Sequence, residues 1–174
     1  MPKGLKRYYG RGDLHFLTFS CYQRRGLLAT KGARNMFVRE LERVRKKYRF
    51  WLVGYVVMPN HVHLLMSEPE RDTVSTVLQM LKQRVARRMR QPTKNGRDGQ
   101  LALPFQNEGK PPRAFWQARF YDFNVYSRGK MKEKLNYMHA NPVIRKLTKH
   151  PREWIWSNWA NYARGDGLIA VDFV

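Results

Sequence analysis

The fold is decided by the stretch between Phe50 and Ser67, which reads FWLVGYVVMPNHVHLLMS. Its first half is β-branched and aromatic, and it predicts a strand that ends at Met58. The Pro-Asn pair that follows is a turn signal, and the residues from His61 onward are again strand-like. The stretch therefore predicts two antiparallel strands joined as a hairpin.

Further elements are predicted on both sides of this hairpin from apolar periodicity and capping residues. In chain order they are a strand over Leu14 to Tyr22, a helix over Ala33 to Tyr48, a helix capped by Asp72 or Thr73, a strand within Ala114 to Tyr126, and a helix from Ser127 to about Asn141 that Pro142 stops. Met1 to Asp13 is expected to be an irregular arm. The aperiodic segment from Gln91 to Pro112 is expected to be a long loop.

The order strand, helix, strand, strand, helix, strand predicts an α+β fold of one kind. It is a ferredoxin-like βαββαβ sandwich, with an antiparallel sheet and helices on one face. We expect one domain over residues 1–174, consisting of this core at 14–126, a helix at 127–142 and a C-terminal extension at 143–174. The extension is rich in aromatic residues and is expected to dock on the core.

The charge of the chain points to a polyanionic partner. Lys and Arg number 34 against 13 Asp and Glu, which gives a formal net charge of +21. Neutralising phosphates releases condensed counterions, so nucleic acid is the partner we expect. An anionic membrane surface is the alternative, but no segment approaches the ~20 apolar residues of a membrane span. Cys21 is the only cysteine, which excludes an intramolecular disulfide and a cysteine-based zinc cage and suits a reducing cytoplasm.

His61 and His63 form the first motif that can carry chemistry. Residues two apart on a strand project to the same face, so both imidazoles point one way while Val62 points the other. Two neutral imidazoles side by side can bind one divalent metal ion. The alternative is a pair of incidental histidines, but unpaired polar groups are costly in an otherwise apolar strand. The pattern therefore favours a metal site.

Tyr137 lies on the last predicted helix, away from its apolar stripe. Asn141 lies one turn further along the same face, and its amide could complete a His-His-Asn ligand set beside the phenol. Lys130 and Lys134 share that side and could bind phosphates. Periodicity leaves a second interpretation open, in which Tyr137 packs its ring on the sheet and Asn141 caps the helix.

Three motifs, taken together and in this order, resemble a known family. They read MPNHVHL at 58–64, FWQARFYD at 115–122 and YMHANPV at 137–143. The first is similar to the His-hydrophobic-His signature of the small HUH single-strand transposases with one catalytic tyrosine. The other two, with WIWSNW at 154–159, resemble the REP-associated tyrosine transposases of bacteria. In the mobile-element branch a Gln typically follows the tyrosine by four, where this chain has Asn141.

The resemblance implies a DNA transposase that is also a single-strand endonuclease and strand transferase. His61, His63 and Asn141 would bind Mg²⁺ or Mn²⁺, and Tyr137 would be the nucleophile that forms a 5′-phosphotyrosine. The implied partner is single-stranded or hairpin DNA with palindromic repeats, in the cytoplasm and with no membrane partner, in an oligomeric state that stays open. The alternatives are a non-catalytic hairpin-binding protein derived from a transposase and a metal-dependent phosphodiesterase that uses water.

Basic and aromatic residues supply candidate contacts to DNA. For phosphates the candidates are Lys3, Lys6, Arg7 and Arg11 in the arm, Arg84, Arg87 and Arg88 in the second helix, and Lys130 and Lys134. For base stacking they are Tyr8, Tyr9 and Trp116. A solvated charge or a core aromatic is the alternative for each. The isolated residues His15, His139 and His150 are not assigned to the metal.

Overall fold

A computed structural model describes residues 8–90 and 114–174 of the chain. Its strands and α-helices are, in chain order, β1 (Leu14–Ser20), α1 (Lys31–Tyr48), β2 (Leu52–Val57), β3 (His61–Met66), α2 (Val74–Arg90), β4 (Tyr121–Val125), α3 (Arg128–Ile144) and α4 (Trp159–Arg164). A single-turn 3₁₀ helix lies at Pro151–Glu153, and Tyr22–Arg24 forms a turn in which Gln23 and Arg24 have positive φ. The loop expected at 91–112 and the first seven residues of the arm lie outside the described residues.

The four strands form one antiparallel sheet in the order β2-β3-β1-β4. β2 and β3 pair as the predicted hairpin, with Val57 opposite Val62. The remaining pairings are between strands that are far apart in sequence, since β1 lies between β3 and β4, and Ser20 is opposite His61. This order and pairing confirm the predicted ferredoxin-like α+β fold.

The two faces of the sheet are covered by different helices. α1 and α2 pack together on one face, where the Phe19 ring of β1 lies 6.2 Å from the Phe37 ring of α1. α3 packs against the opposite face, over β2, β3 and β4. Gly54 permits its close approach, because a Cβ there would lie 2.6 Å from Met138 Cε and 2.8 Å from Leu135 Cδ2. Strands β2 and β3 are therefore buried on both faces.

Capping side chains fix the starts of the three long helices. Thr30 Oγ1 accepts a hydrogen bond from the backbone of Ala33, so α1 begins two residues earlier than predicted. Of the two caps offered for α2, Thr73 is used, and its hydroxyl accepts from the Thr76 backbone at 3.2 Å. Ser127 Oγ caps α3 as predicted.

The prediction that Pro142 stops α3 is wrong, because the helix continues to Ile144. The fixed φ of proline is itself helical, but its missing N–H leaves the carbonyl of Met138 without the usual hydrogen bond, and its ring crowds that carbonyl. The ring is buried, and the carbonyls of Asn141 and Pro142 accept from Arg145 and Leu147 to close the helix end. A proline this close to a C-terminus is thus accommodated inside the final turn.

The chain after α3 runs along the outer edge of β2. Asn158 N–H donates to Tyr55 O at 3.1 Å, and Val57 N–H donates to Trp156 O at 2.9 Å. Further along, Asp172 N–H donates to Leu52 O at 2.8 Å. These bonds satisfy backbone groups that an exposed edge strand would offer to another chain. Indole rings of this segment, including Trp156, are buried in the core.

A buried carboxylate joins α1 to α2. Glu40 is 1% exposed, and its oxygens accept from Arg84 Nε at 2.6 Å and from Arg43 Nη1 at 2.6 Å, with Arg88 Nε at 3.6 Å. Burial raises the pKa of this carboxyl, but the hydrogen bonds and charges of Arg84 and Arg43 outweigh it and hold the pKa below 4.5. Arg84 and Arg88 therefore have partners within the fold.

We predict that Glu40→Gln lowers the free energy of unfolding at pH 7 by about 1–3 kcal/mol, because charge-assisted hydrogen bonds are lost. The folded pKa lies below that of the unfolded chain, so the wild-type carboxylate stabilises the fold above pH 4.5. That contribution is lost as the pH falls through the folded pKa. Urea unfolding at several pH values measures both effects.

Glu70→Gln is the matched control, because that carboxylate is 68% exposed on the surface. It should leave the unfolding midpoint within error at every pH. Equal stability of Glu40→Gln and the wild type at pH 7 would contradict a stabilising role for the Glu40 ion pairs.

Candidate active site

Both histidines of the predicted pair lie buried on the α3 face of the sheet. His61 is 5% and His63 3% exposed, and their ring centroids are 4.9 Å apart at an interplanar angle of 84°. His61 Nδ1 lies 2.6 Å from Asn60 Oδ1, and His63 Nδ1 lies 2.7 Å from Thr18 Oγ1. Because an amide oxygen only accepts, His61 Nδ1 carries the proton and its Nε2 lone pair is left for a ligand.

Asn141 of α3 meets the two histidines from the helix side. Its amide nitrogen lies 3.3 Å from His63 Nε2, and the amide also contacts His61. Its Oδ1 is buried and has no hydrogen-bond partner among the residues that the structure describes. An unpaired buried carbonyl oxygen is costly, so a cation bound between this oxygen and the imidazole nitrogens would satisfy it.

The donor set fits a divalent ion of the Mg²⁺ or Mn²⁺ type only if the amide takes part. Within residues 8–90 and 114–174, no cluster of three or more His, Cys, Asp or Glu side chains could hold a metal ion. Two imidazole nitrogens and one amide oxygen are the donors that the geometry offers. The orphaned Asn141 oxygen is therefore the observation that supports a metal at this place.

The electrostatic surroundings keep both imidazoles neutral. Burial lowers the pKa of His61 from 6.5 to about 4, and the charges of Arg145 and Arg24 act in the same direction. Burial lowers the pKa of His63 to about 3, with further contributions from His61 and the two arginines. Neutral imidazole is the form that binds a metal ion, so the site is ready to bind over a wide pH range.

Tyr137 stands at the mouth of the site with its ring 45% exposed. The ring meets His63 edge-on at a centroid distance of 5.2 Å and Phe16 at 6.1 Å. The Asn141 side chain faces His63 and does not cap the helix. One element of each sequence interpretation is therefore present. The tyrosine ring packs on the sheet, as the second interpretation has it, and it stays accessible beside the His-His-Asn cluster, as the first has it.

A pocket of about 500 Å³ adjoins Tyr137 and His63. Its other lining residues are Phe16, Thr18, Ser20, Arg24, Gln117, Arg119, Tyr121 and Lys134. The Lys134 ammonium lies 4.9 Å from the Phe123 ring centroid and pairs with Glu133 at 3.0 Å. Lys130 pairs with the same carboxylate at 2.7 Å and is not among the lining residues.

Among the other basic candidates, those that the structure describes are absent from the lining of this pocket. Arg84 and Arg88 pair with Glu40 on the opposite face of the sheet, and Arg87 is exposed on the same helix. Arg11 is exposed, and its guanidinium lies 4.3 Å from the centroid of the Tyr8 ring. Lys3, Lys6 and Arg7 lie outside the described residues.

The aromatic candidates differ in their exposure. Tyr8 and Tyr9 are 40% and 44% exposed, and the Tyr9 ring stacks on His15 at 5.4 Å. Trp116 is 7% exposed, its Nε1 donates to Lys82 O, and its ring packs against Phe19. The expectation that Trp116 stacks on a base is therefore corrected, since the ring fills the core and offers no open face.

Three arginines near the site were not singled out from the sequence. Arg119 lies within the FWQARFYD motif but has no periodic signal of its own. Arg145 follows Asn141 by four residues, and that helical spacing could have identified it. Arg24 gave no signal, because it is brought near the histidines by a turn of unusual backbone geometry, with a φ of +53°.

Comparison with known proteins shows similarity over most of the chain. The family model for IS200-like transposases matches residues 11–141, more than half of the sequence. A REP-associated tyrosine transposase of Escherichia coli K12 is 25% identical over 170 residues, or 97% of this chain and 88% of that protein. A Haemophilus influenzae protein, provisionally named in the same class, is 25% identical over 159 residues, or 88% of this chain and 84% of that protein.

Among solved structures, a REP-associated tyrosine transposase bound to a REP hairpin has a TM-score of 0.72. It is 20% identical, and the match covers 99% of this chain and 92% of that chain. The likeness shows that the two chains share their fold. Of the helices in the described part of this chain, none is long and apolar enough to cross a bilayer.

We predict that His61 and His63 remain neutral in the metal-free protein between pH 7 and pH 5. Their Cε1 proton shifts in NMR spectra should stay constant over that range, because the folded pKa values are about 4 and about 3. The unfolded chain takes up these protons below about pH 6.5. Lowering the pH from 7 to 5 should therefore reduce the free energy of unfolding by roughly 1–2 kcal/mol for each histidine.

Spectra of His61→Ala and His63→Ala assign the two signals. A midpoint near 6.5 for either signal would show that the imidazole is not held neutral by its surroundings. His150→Ala serves as the control, because His150 is exposed and its removal should leave both signals in place.

Proposed function

Because the chain belongs to the IS200-like transposase family, we propose that it cuts and rejoins single-stranded or hairpin DNA through a covalent bond to Tyr137. Family membership confirms the resemblance that the sequence motifs indicated. The observation that carries the proposal is the half-exposed Tyr137 ring beside the buried His-His-Asn cluster. Hairpin DNA is supported as the partner by the net charge of +21 and by the solved relative bound to a REP hairpin.

In the proposed reaction, the Tyr137 phenolic oxygen attacks a backbone phosphorus. The new Tyr–O–P bond replaces the bond between phosphorus and the 3′ oxygen, and the phenolic proton is passed through solvent to that departing oxygen. One DNA end is then a free 3′-OH, and the other is a 5′-phosphotyrosine. Attack by a second 3′-OH reverses these bond changes and restores the phenol, so rejoining requires no ATP.

The polar residues beside Tyr137 would act on the reacting phosphate through a bound metal ion. His61, His63 and Asn141 would hold Mg²⁺ or Mn²⁺, which when bound polarises a phosphate oxygen and orients the in-line displacement. Asn60 and Thr18 accept or share hydrogen bonds at the far imidazole nitrogens and fix both ring orientations.

We also propose that residues 1–174 act as one domain. In it the core, helix α3 that carries Tyr137 (the tyrosine helix) and the C-terminal extension cannot be separated. The backbone hydrogen bonds between the extension and β2 support this view, since removing the extension would expose a sheet edge. The contact between Asn141 and His63 likewise ties the tyrosine helix to the core.

We predict that Tyr137→Phe abolishes the covalent protein–DNA adduct and leaves hairpin affinity within a few-fold. The substitution removes the nucleophilic oxygen and keeps the ring against His63 and Phe16. The measurement is an SDS-resistant gel shift with hairpins of palindromic repeats, alongside their affinity by fluorescence anisotropy. Tyr126→Phe is the matched control, because this ring is 68% exposed and lies outside the pocket lining.

The same gels separate the competing functions. Adduct formation by Tyr137→Phe at the wild-type rate would assign the nucleophile to another tyrosine, such as Tyr121. Hairpin binding by the wild type without any adduct or cleavage would favour a non-catalytic binding protein. Metal-dependent cleavage without an adduct would favour a phosphodiesterase that uses water.

We predict that His61→Ala and His63→Ala each abolish adduct formation and weaken Mn²⁺ binding in the free protein. The Mn²⁺ affinity is measured by electron paramagnetic resonance without DNA, so it does not depend on activity. Thr18→Val should weaken it by about 10–100-fold through loss of the hydrogen bond to His63, whereas Thr18→Ser should preserve it. Full activity in excess EDTA would contradict the metal assignment.

A further inference from the structure

The pocket beside Tyr137 combines an aromatic wall with a cationic rim. Phe16 and Tyr121 meet edge-on at 6.4 Å, and Tyr121 is only partly buried, so part of its ring is open to the pocket. Arg24 and Arg119 line the same pocket and are exposed. A volume of about 500 Å³ lies within the ~300–1,000 Å³ of typical small-ligand pockets. The pocket therefore offers a surface for a planar group next to positive charge.

Arg24 owes its position to a turn with strained backbone. Gln23 and Arg24 are consecutive non-glycine residues with φ of +51° and +53°, a left-handed conformation that residues with a side chain rarely adopt. The turn is held by Arg24 N–H donating to Cys21 O at 3.0 Å, while Cys21 N–H donates to Asn60 O at 2.9 Å. It is thereby fastened to the residue that precedes His61, and strain of this kind is typical of functional sites.

An unpaired nucleotide matches both parts of this pocket. Its base has a flat face that stacks on aromatic rings whatever the base identity, and its phosphate carries the charge that arginines bind. A base inside a duplex cannot present its face in this way, because both faces are already stacked. Ser20 and Gln117 add polar groups to the pocket lining.

We propose that this pocket binds one unpaired nucleotide directly adjacent to the scissile phosphate, with its base on Tyr121 and its phosphate at Arg24 and Arg119. The inference rests on the proposed function and deepens it, since it names the DNA element recognised beside the nucleophile. It also gives the enzyme a reason to act on single strands, because only an unstacked nucleotide enters the pocket.

The first test is an abasic scan of a DNA hairpin that carries single-stranded flanks. Fluorescence anisotropy is measured with Tyr137→Phe protein and no divalent metal, so that binding is separated from cleavage. One unpaired position next to the bond cut in the adduct assay should lose affinity roughly 5- to 100-fold when its base is removed. In the same background, Tyr121→Ala should remove that position-specific loss, and Tyr121→Phe should keep it.

Tyr126→Ala is the control for the aromatic wall, because Tyr126 is exposed outside the pocket and its variant should keep the full abasic effect. The second test concerns the phosphate. Arg24→Ala and Arg119→Ala should each flatten the log–log dependence of affinity on salt by about 0.7. Arg39→Ala, on an exposed position of α1 across the sheet, should leave the slope unchanged.

The outcomes distinguish a failure of the pocket assignment from a failure of the proposed function. A hairpin that binds and forms the adduct, but shows no sensitive abasic position or one unaffected by Tyr121→Ala, overturns the pocket assignment alone. Unchanged salt slopes for both arginine variants overturn the phosphate contacts. Failure of every hairpin to bind overturns the inference and the proposed function together.

Discussion

The contact between Asn141 and His63 is the constraint on which the site depends. It joins side chains 78 positions apart, one on α3 and one on β3, at a place where both bury polar atoms. Those atoms require partners, so the helix has to approach the sheet closely, and Gly54 leaves the space for it. The half-exposed position of Tyr137 follows, because it precedes Asn141 by one turn of the same helix.

The two faces of the sheet differ in what they bury and what they expose. On one face α1 and α2 enclose an apolar core and bury the ion pairs of Glu40. On the other face α3 covers the sheet only in part and leaves the pocket beside Tyr137. The apolar core and the pocket therefore lie on opposite sides of the same strands.

Net charge indicated the class of partner, but it did not indicate which basic residues lie at the pocket. The excess of 21 positive charges favoured a nucleic acid, and the chain belongs to a transposase family. Yet Arg84 and Arg88 are paired with Glu40 across the sheet, whereas Arg24 and Arg119 line the pocket. Composition sums charges without reference to the carboxylates that bind them, and those pairings arise only when distant segments meet.

The sequence by itself determined the hairpin, the sandwich topology, the shared face of His61 and His63, and the cap of the tyrosine helix. Each follows from strand alternation, helical periodicity or capping, which act between near neighbours. Only the tertiary structure decided that Trp116 fills the core, that α3 passes through Pro142, and that Arg24 reaches the histidines. These outcomes depend on which segments pack together across long sequence separations, and no local period carries that information.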